Sequence, residues 1–399
     1  MAKHYKIAII GGGSAGITVA ARLLRSNKTL KNQIAIIDPA KYHYYQPLWT
    51  LVGGGVTSIE KTRKTMASVI PKNAHWLKRK VEEIDPDNNT LLLDGNASIT
   101  YDYLIACPGI QINWNQIKGL EENLGKGGVC SNYSSEYAPY TWQTLKDLKK
   151  GNAVFTNPNT PIKCGGAPMK IMFLAEDYFQ NHELKDNINV IYETANDKLF
   201  AVPKYRRELD RLVKERNIEV NFKHNLVEID GENKVAIFEN LNTNEKIERS
   251  YDMLHVTPPM SAPNFIKESK ISNEDGWVDV DPSTLQHTKY KNIFGLGDAS
   301  SSPTSKTGAA VRKQAPVVVD NLIQLMRNEN ERLLHHYDGY TSCPIVTGYN
   351  KLILAEFDYN NNPVETMPFN QAKERKSMYL LKKEFLPRMY WYGMLKGIM

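Results

Sequence analysis

Apolar and polar positions alternate along this chain in blocks that mark strand–helix units. The run "YKIAIIGGGSAGITVAARLL" (5–24) is apolar up to three glycines, then resumes at helical spacing, so it predicts strand, tight turn and helix. "IAIID" (34–38) adds a second strand that ends in an acid. Residues 151–223 repeat the order with "NAVF", a helix carrying Ile171, Leu174, Ala175 and Tyr178 on one face, "INVIYE", the helix "KYRRELDRLVKER", and "IEVNF". "KVAIFENLNTNEKIERSYDMLHV" (234–256) predicts two or three strands leading back to the first unit near residue 285. The expected fold class is α/β, with two Rossmann-like dinucleotide-binding domains and a C-terminal membrane-associating region. The expected division is 1–115 with 285–330, then 116–284, then 331–399.

The first turn has a definite chemistry. Gly11, Gly13 and Gly16 have the spacing of a dinucleotide fingerprint. The first glycine permits the turn, the second lets backbone N–H groups approach a pyrophosphate, and the third allows close helix packing. Asp38 then stands where a carboxylate can bond a ribose hydroxyl. The second unit lacks this loop. In its place stands "TNPNTPIKCGGAPMK" (156–170), with Cys164 just ahead of a helix start marked by Pro168. The helix dipole, Lys163 and Lys170 would favour a thiolate there. A buried, inert thiol fits the same local sequence. Cys343, in "YDGYTSCPIVTGYN", is expected in a Gly/Pro-flanked turn before an apolar strand.

Composition narrows the classes. The chain has 399 residues, 41% hydrophobic and 24% charged, ordinary for a globular protein of two or three domains. Of the net charge of +6, residues 371–399 carry seven Lys/Arg against two Glu, or +5. The rest is nearly neutral, which argues against a general nucleic-acid surface. The four cysteines, Cys107, Cys130, Cys164 and Cys343, form no metal motif, so no metal is expected. The first strand begins at about Tyr5, leaving no room for a secretory leader, and no apolar stretch is long enough to span a bilayer. From Met378 onward Leu381, Phe385, Tyr390, Met394 and Ile398 fall near helical spacing between lysines, with Pro387 dividing two short helices and Trp391 and Tyr392 at an aromatic boundary. That pattern suits an anionic membrane surface, although a helix packed on its own domain or on a partner subunit fits it too.

"TYDYLIACPG" (100–109) and "KNIFGLGDAS" (291–300) are similar to the strand-and-turn segments of two-dinucleotide flavoproteins. That resemblance implies FAD as cofactor, with Gly109 at the turn and Asp298 accepting hydrogen bonds from the ribityl chain. More specifically, "TPIKCGGAP", "SYDMLHVTPPMSAP", "GWVDVD", "PTSKTGAAV", "YDGYTSCPIVTGYN" and "LAEFDYNNNPVET" resemble the sulfide:quinone oxidoreductases of the mitochondrial subgroup, from Lys6 nearly to the C-terminus. The resemblance implies Cys164 and Cys343 as the catalytic pair. Lys306, eight residues after Asp298 at a helix opening, reads as a cation at the flavin edge or as a solvated helix lysine. The resemblance suggests Glu122 as a weaker general base and places Cys130 where some relatives carry a third cysteine. Cys107 and His255 read as packing residues, and Cys130 as a passive thiol. The partners implied are hydrogen sulfide, a membrane quinone and a small sulfur acceptor (sulfide, sulfite, glutathione, coenzyme A or a similar thiol). Lys170 and Lys382 are expected at an anionic acceptor's entrance. The location implied is peripheral, on the cytoplasmic face of a cell membrane or the matrix side of a mitochondrion, and a homo-oligomer is compatible with it. Without its tail the protein is expected to keep its flavin. A type-II NADH:quinone dehydrogenase and a non-catalytic flavin-binding signalling protein are the competing readings; the first should carry a glycine loop where Cys164 stands.

Overall fold

The computed structural model describes residues 2–327 and 333–399. Its first strand, β1 (Lys3–Ile10), leads through the glycine turn into α1 (Ser14–Ser26) and back to β2 (Ile34–Ile37). A short helix, α2 (Trp49–Gly53), precedes β3 (Ala74–Leu77), β4 (Val81–Asp85), β5 (Thr90–Leu93) and β6 (Ala97–Ala106). The chain then builds β7 (Val129–Cys130), β8 (Gly151–Asn157), α3 (Ala167–Asn181), β9 (Ile188–Thr194), α4 (Pro203–Glu215), β10 (Glu219–Phe222) and β11 (Met253–His255). It returns with β12 (Ile293–Gly295) and α5 (Gly308–Met326), and closes with the hairpin β13 (Thr341–Gly348) and β14 (Lys351–Phe357).

Two sheets result. The first has the order β3-β2-β1-β6-β5-β4, with β12 on β6. Its β1, β2, β3, β6 and β12 pair in parallel, whereas β4, β5 and β6 form an antiparallel flap. The second is wholly parallel, ordered β7-β11-β8-β9-β10. The segment 234–256 supplies three strands: two in a separate three-stranded sheet with His224–Asp230, and β11 in the parallel one. The expected boundary at 330/331 lies outside the described residues.

Burial explains the choice of elements. From Ile7 to Ile10 and throughout β2 the strands are unbroken apolar runs because both faces of this parallel part of the sheet are covered, by α1 on one side and by residues 262–280 on the other, and Ile7, Ile9, Ile34 and Ile36 are fully buried. α3 departs from its expected one-sided pattern. Met169 through Ala175 are all buried, because the sheet packs on one side and the β13–β14 hairpin on the other. A Cβ on Gly16 would lie 1.9 Å from the Gly11 carbonyl oxygen, so only glycine lets α1 approach the turn.

The tail also departs from expectation. Pro387 does not divide it: the proline stands between two π-helical stretches, Leu381–Phe385 and Met389–Gly393, whose irregular hydrogen bonding carries the helix past it. Helical turns of α, π and 3-10 type run on from Lys376 to Lys396. Tyr390, Trp391, Met394 and Leu395 join the core shared by α1 and α3, while Leu380, Phe385, Tyr392 and Ile398 are exposed. No helix of the described residues is long and apolar enough to cross a membrane.

Candidate functional site

A cleft of about 920 Å³ runs from the glycine turn, past Cys164, to the C-terminal segment. Gly12, Gly13, Asp38, Gly109 and Asp298 line one part of it; Leu381, Phe385, Met389 and Met394 line another. Asp38 is anchored rather than free, since its carboxylate accepts Gly12 N–H at 2.7 Å and Ala40 N–H at 2.8 Å. Burial raises its pKa. Gly11 has φ +102, and a Cβ there would meet the Cys107 carbonyl at 2.4 Å. A Cβ on Gly13 or Gly109 would meet nothing within 4 Å, so both glycines border open space. The N-termini of α1 and α5 both open on the cleft, through Ser14 and through Thr307 and Gly308. An anionic dinucleotide with a long polar chain fits this cradle, and FAD meets the description.

Where a second phosphate loop would stand, the chain presents sulfur. Cys164 has φ +58, a left-handed conformation uncommon for a residue with a side chain. Its N–H donates to the Lys306 carbonyl at 2.9 Å, and its own carbonyl accepts Ala167 N–H at 2.7 Å, closing the entry to α3. Its Sγ lies 3.3 Å from Cys343 Sγ, a thiol contact about 1.2 Å longer than a disulfide bond. Lys170 Nζ, buried one turn into α3, donates to Cys164 Sγ at 2.9 Å. The Cys343 hydrogen bond, followed by the Lys170 charge, holds Cys164 well below the usual thiol range. The same bond, with burial, pushes Cys343 up, so one proton serves the pair. Burial opposes the charge on Lys170, yet the sulfur beside it raises its pKa.

Cys343 sits within β13, opposite Ala355, rather than in a turn. A two-stranded hairpin tolerates the adjacent Pro344 because an unpaired edge needs no N–H donor. The glycines of "CGG" have a packing reason as well: a Cβ on Gly166 would lie 2.7 Å from Cys343 Sγ.

These observations join onto known proteins. A family profile described as pyridine nucleotide-disulphide oxidoreductase matches residues 5–140. The mitochondrial sulfide:quinone oxidoreductase of Mus musculus is 46% identical over 99% of this chain and 87% of its own length. That of Dictyostelium discoideum is 48% identical over 98% of this chain and 86% of its own. This chain belongs to the sulfide:quinone oxidoreductase family. The crystal structure of the Aquifex aeolicus sulfide:quinone oxidoreductase shares the fold, with a TM-score of 0.84 at 22% identity over 100% of this chain and 92% of that one.

Within that family frame, the remaining expected residues divide. Lys306 lines the cleft, with Nζ donating to the Ser300 carbonyl at 3.2 Å and lying 3.9 Å from the Trp277 ring centre. Burial lowers its pKa to about 8, opposed by Asp298. Lys163 turns away from the thiolate, donating to Gln46 Oε1 at 2.7 Å beneath Trp49. From the tail, the charge of Lys382 adds a smaller lowering of the Cys164 pKa. Lys382 is buried, donates to the Pro47 carbonyl at 3.0 Å, and is pulled down to about 7 by burial. Lys170 and Lys382 are thus internal to the site rather than at its surface entrance.

Glu122 is exposed and does not line the cleft. Cys107 and Cys130 are buried, and burial pushes both thiols up, Cys130 to about 12. His255 is a neutral core imidazole, pulled down to about 3 by burial, whose Nε2 accepts Asn132 N–H at 3.1 Å. Near the end of β9, where the second unit would hold a nucleotide ribose, Glu193 is fully buried. It is bound to Arg249 at 2.8 Å, His224 at 2.7 Å and Asn221 at 3.0 Å.

Proposed function

We propose that this protein oxidises hydrogen sulfide and reduces a quinone, using Cys164, Cys343 and FAD. The observation that carries the reading is the thiolate–thiol pair, 3.3 Å apart and held by Lys170, with its Cys164 member lining the cleft that carries the glycine turn. FAD, when bound, supplies a two-electron carrier between the dithiol and the quinone. Gly11, Gly13, Gly16 and Asp38 would hold its dinucleotide end, Gly109 and Asp298 the central chain, and Lys306 the charged edge.

The sulfur chemistry is an exchange. In the oxidised pair, HS⁻ attacks Cys343; a new S–S bond forms there, the Cys164–Cys343 bond breaks, and Cys164 leaves as thiolate. Two features support Cys164 as the leaving sulfur, its lowered pKa and the Lys170 hydrogen bond, and its place on the cleft puts the released thiolate beside the cofactor site. Cys343 is fully buried, covered by the side-chain-free backbone of Gly166. The outer sulfur of the persulfide then passes to a small nucleophile, which leaves two reduced cysteines. Re-forming their bond releases two electrons to the cofactor. Sulfide, sulfite, glutathione and coenzyme A all have the required nucleophilic chemistry, and the Lys170 and Lys382 charges favour an anionic acceptor.

We further place the protein on a membrane surface through Leu380, Tyr392 and Ile398, with the quinone entering along the tail side of the cleft; the mitochondrial names of its relatives support a mitochondrial membrane. The working division is 1–115 with 285–330 for FAD, 116–284 for Cys164, and 331–399 for Cys343 and the quinone. Anaerobic titration of the holoprotein tests the reading. Sulfide should bleach the flavin stoichiometrically and NADH should leave it oxidised. Cys164→Ser and Cys343→Ser should bind FAD yet lose sulfide-dependent bleaching by about three orders of magnitude or more, because a serine alcohol is not ionised near neutral pH. Rapid bleaching by NADH would replace this reading with that of a dehydrogenase.

A further inference from the structure

One buried polar chain has no part in sulfur exchange. His43, in the short strand Tyr42–Tyr44, has Nδ1 2.9 Å from the Gly12 carbonyl oxygen. Its Nε2 contacts the Tyr390 hydroxyl, which lies 2.7 Å from Ser14 Oγ. Hydrogen-bonding chemistry assigns the protons. A carbonyl only accepts, so Nδ1 carries the ring hydrogen and donates to Gly12. In the neutral ring Nε2 then accepts the Tyr390 O–H, and Ser14 donates to the Tyr390 oxygen. Burial keeps the ring neutral, with its pKa pulled down to about 4. The chain ends on a backbone carbonyl, which passes no proton onward. It is a mechanical tie rather than a proton path.

What it ties is the first turn. Gly12 is held from both sides, its N–H on Asp38 and its C=O on His43. In a planar trans peptide the next N–H, that of Gly13, points opposite to the Gly12 carbonyl. It is therefore directed away from His43, and Gly13 borders open cleft. The other end of the tie is 376 residues away in sequence. There Tyr390 packs on Tyr45 at 4.5 Å between ring centres and Trp391 packs edge-on to His43. Further along, Gly397 comes so close to α1 that a Cβ would lie 2.7 Å from the Arg22 backbone nitrogen.

We propose that His43 and Tyr390 are positioning residues that set the phosphate-facing geometry of the glycine turn, so that docking of the C-terminal segment and binding of FAD strengthen each other. This rests on the FAD reading above, and it reverses the expectation that the tail is dispensable for cofactor retention. Binding linkage is reciprocal, so each event must favour the other by the same factor.

The test measures FAD affinity of the apoprotein, without sulfide or quinone. Tyr390→Phe and His43→Leu should each weaken FAD binding about tenfold, the loss of one buried hydrogen-bonded link. The double variant should be little worse than either single one, because both break one chain. Tyr392→Phe, at an exposed ring, should bind as wild type. In the unaltered protein, FAD should slow amide hydrogen exchange in residues 389–399, a readout that does not depend on variants folding. Affinities within twofold of wild type in both single variants, or tail exchange indifferent to FAD, would overturn the proposal. A wild-type apoprotein that binds no FAD would instead overturn the cofactor reading itself.

Discussion

Cys164 combines three local constraints on one sulfur: a left-handed backbone, a thiol neighbour and a buried ammonium. The backbone conformation costs on the order of 1 kcal/mol or more, and the α3 entry and the Lys306 carbonyl hold it in place. Its effect is to turn the sulfur toward both Cys343 and Lys170. The charge argument makes a signed prediction. Cys343 and then Lys170 lower the Cys164 pKa, so the thiolate persists as pH falls below the ordinary thiol range. Lys170→Met removes the favourable charge and raises that pKa. Sulfide-dependent flavin reduction should then fall about tenfold at neutral pH, with the acidic limb of its pH profile moved upward and activity recovering in alkali. A stopped-flow pH series reads this directly; an unmoved limb would remove Lys170 from the role.

At the scale of elements, the second parallel sheet keeps a Rossmann plan while its nucleotide features are redirected. The N-terminus of α3 faces two sulfurs, and Gly166 is needed because Cys343 occupies the space of its side chain. Near the end of β9, Glu193 is committed to Arg249, His224 and Asn221. A buried carboxylate so held is unavailable to a ribose, and removing its charge strands its partners. Glu193→Gln should therefore lower stability by about 2 kcal/mol, toward the lower end for a buried pair because Arg249 is partly solvated. NADH should still fail to reduce the flavin in that variant. Denaturant unfolding with a parallel NADH titration checks both; gain of NADH reactivity would show that Glu193 alone had been excluding the nucleotide.

Across the whole molecule, the C-terminal segment has two different faces. One is buried on α1 and the cleft through Tyr390, Met394 and Leu395; the other exposes Leu380, Phe385, Tyr392 and Ile398 beside lysines. The proposed membrane role belongs to the exposed positions that do not line the cleft, Leu380, Tyr392 and Ile398, so the two can be separated by mutation. Leu380→Glu with Tyr392→Glu should reduce binding to anionic vesicles about tenfold or more, since both apolar burial and charge attraction are lost. FAD content and turnover with a short-chain, water-soluble quinone should remain near wild type. Cosedimentation and paired quinone assays measure this, and unchanged vesicle binding would move the membrane surface elsewhere.

The sequence by itself determined the local elements and the first turn. Strand periodicity, three spaced glycines and a following acid encode βαβ geometry within a few tens of residues, where backbone sterics dominate. It also marked Cys164, because a thiol replaced a loop whose spacing is otherwise rigid. Three matters were decided only by tertiary structure. The resemblance implied the Cys164–Cys343 pair, but the contact itself spans 179 residues and is made by packing of β13 on α3, whereas the Gly/Pro punctuation around Cys343 looks locally like a turn. The buried Lys382 lines the cleft because the tail folds back into it, while Gln46 and Trp49 draw Lys163 aside. His43 carried no local signal, and Tyr390 was marked only as one apolar position at helical spacing in the tail, since nothing in either stretch points to the other. Spacing rules describe neighbours along the chain; burial, shared protons and charge depend on neighbours in space, and those exist only once the two sheets and the tail have closed around one cleft.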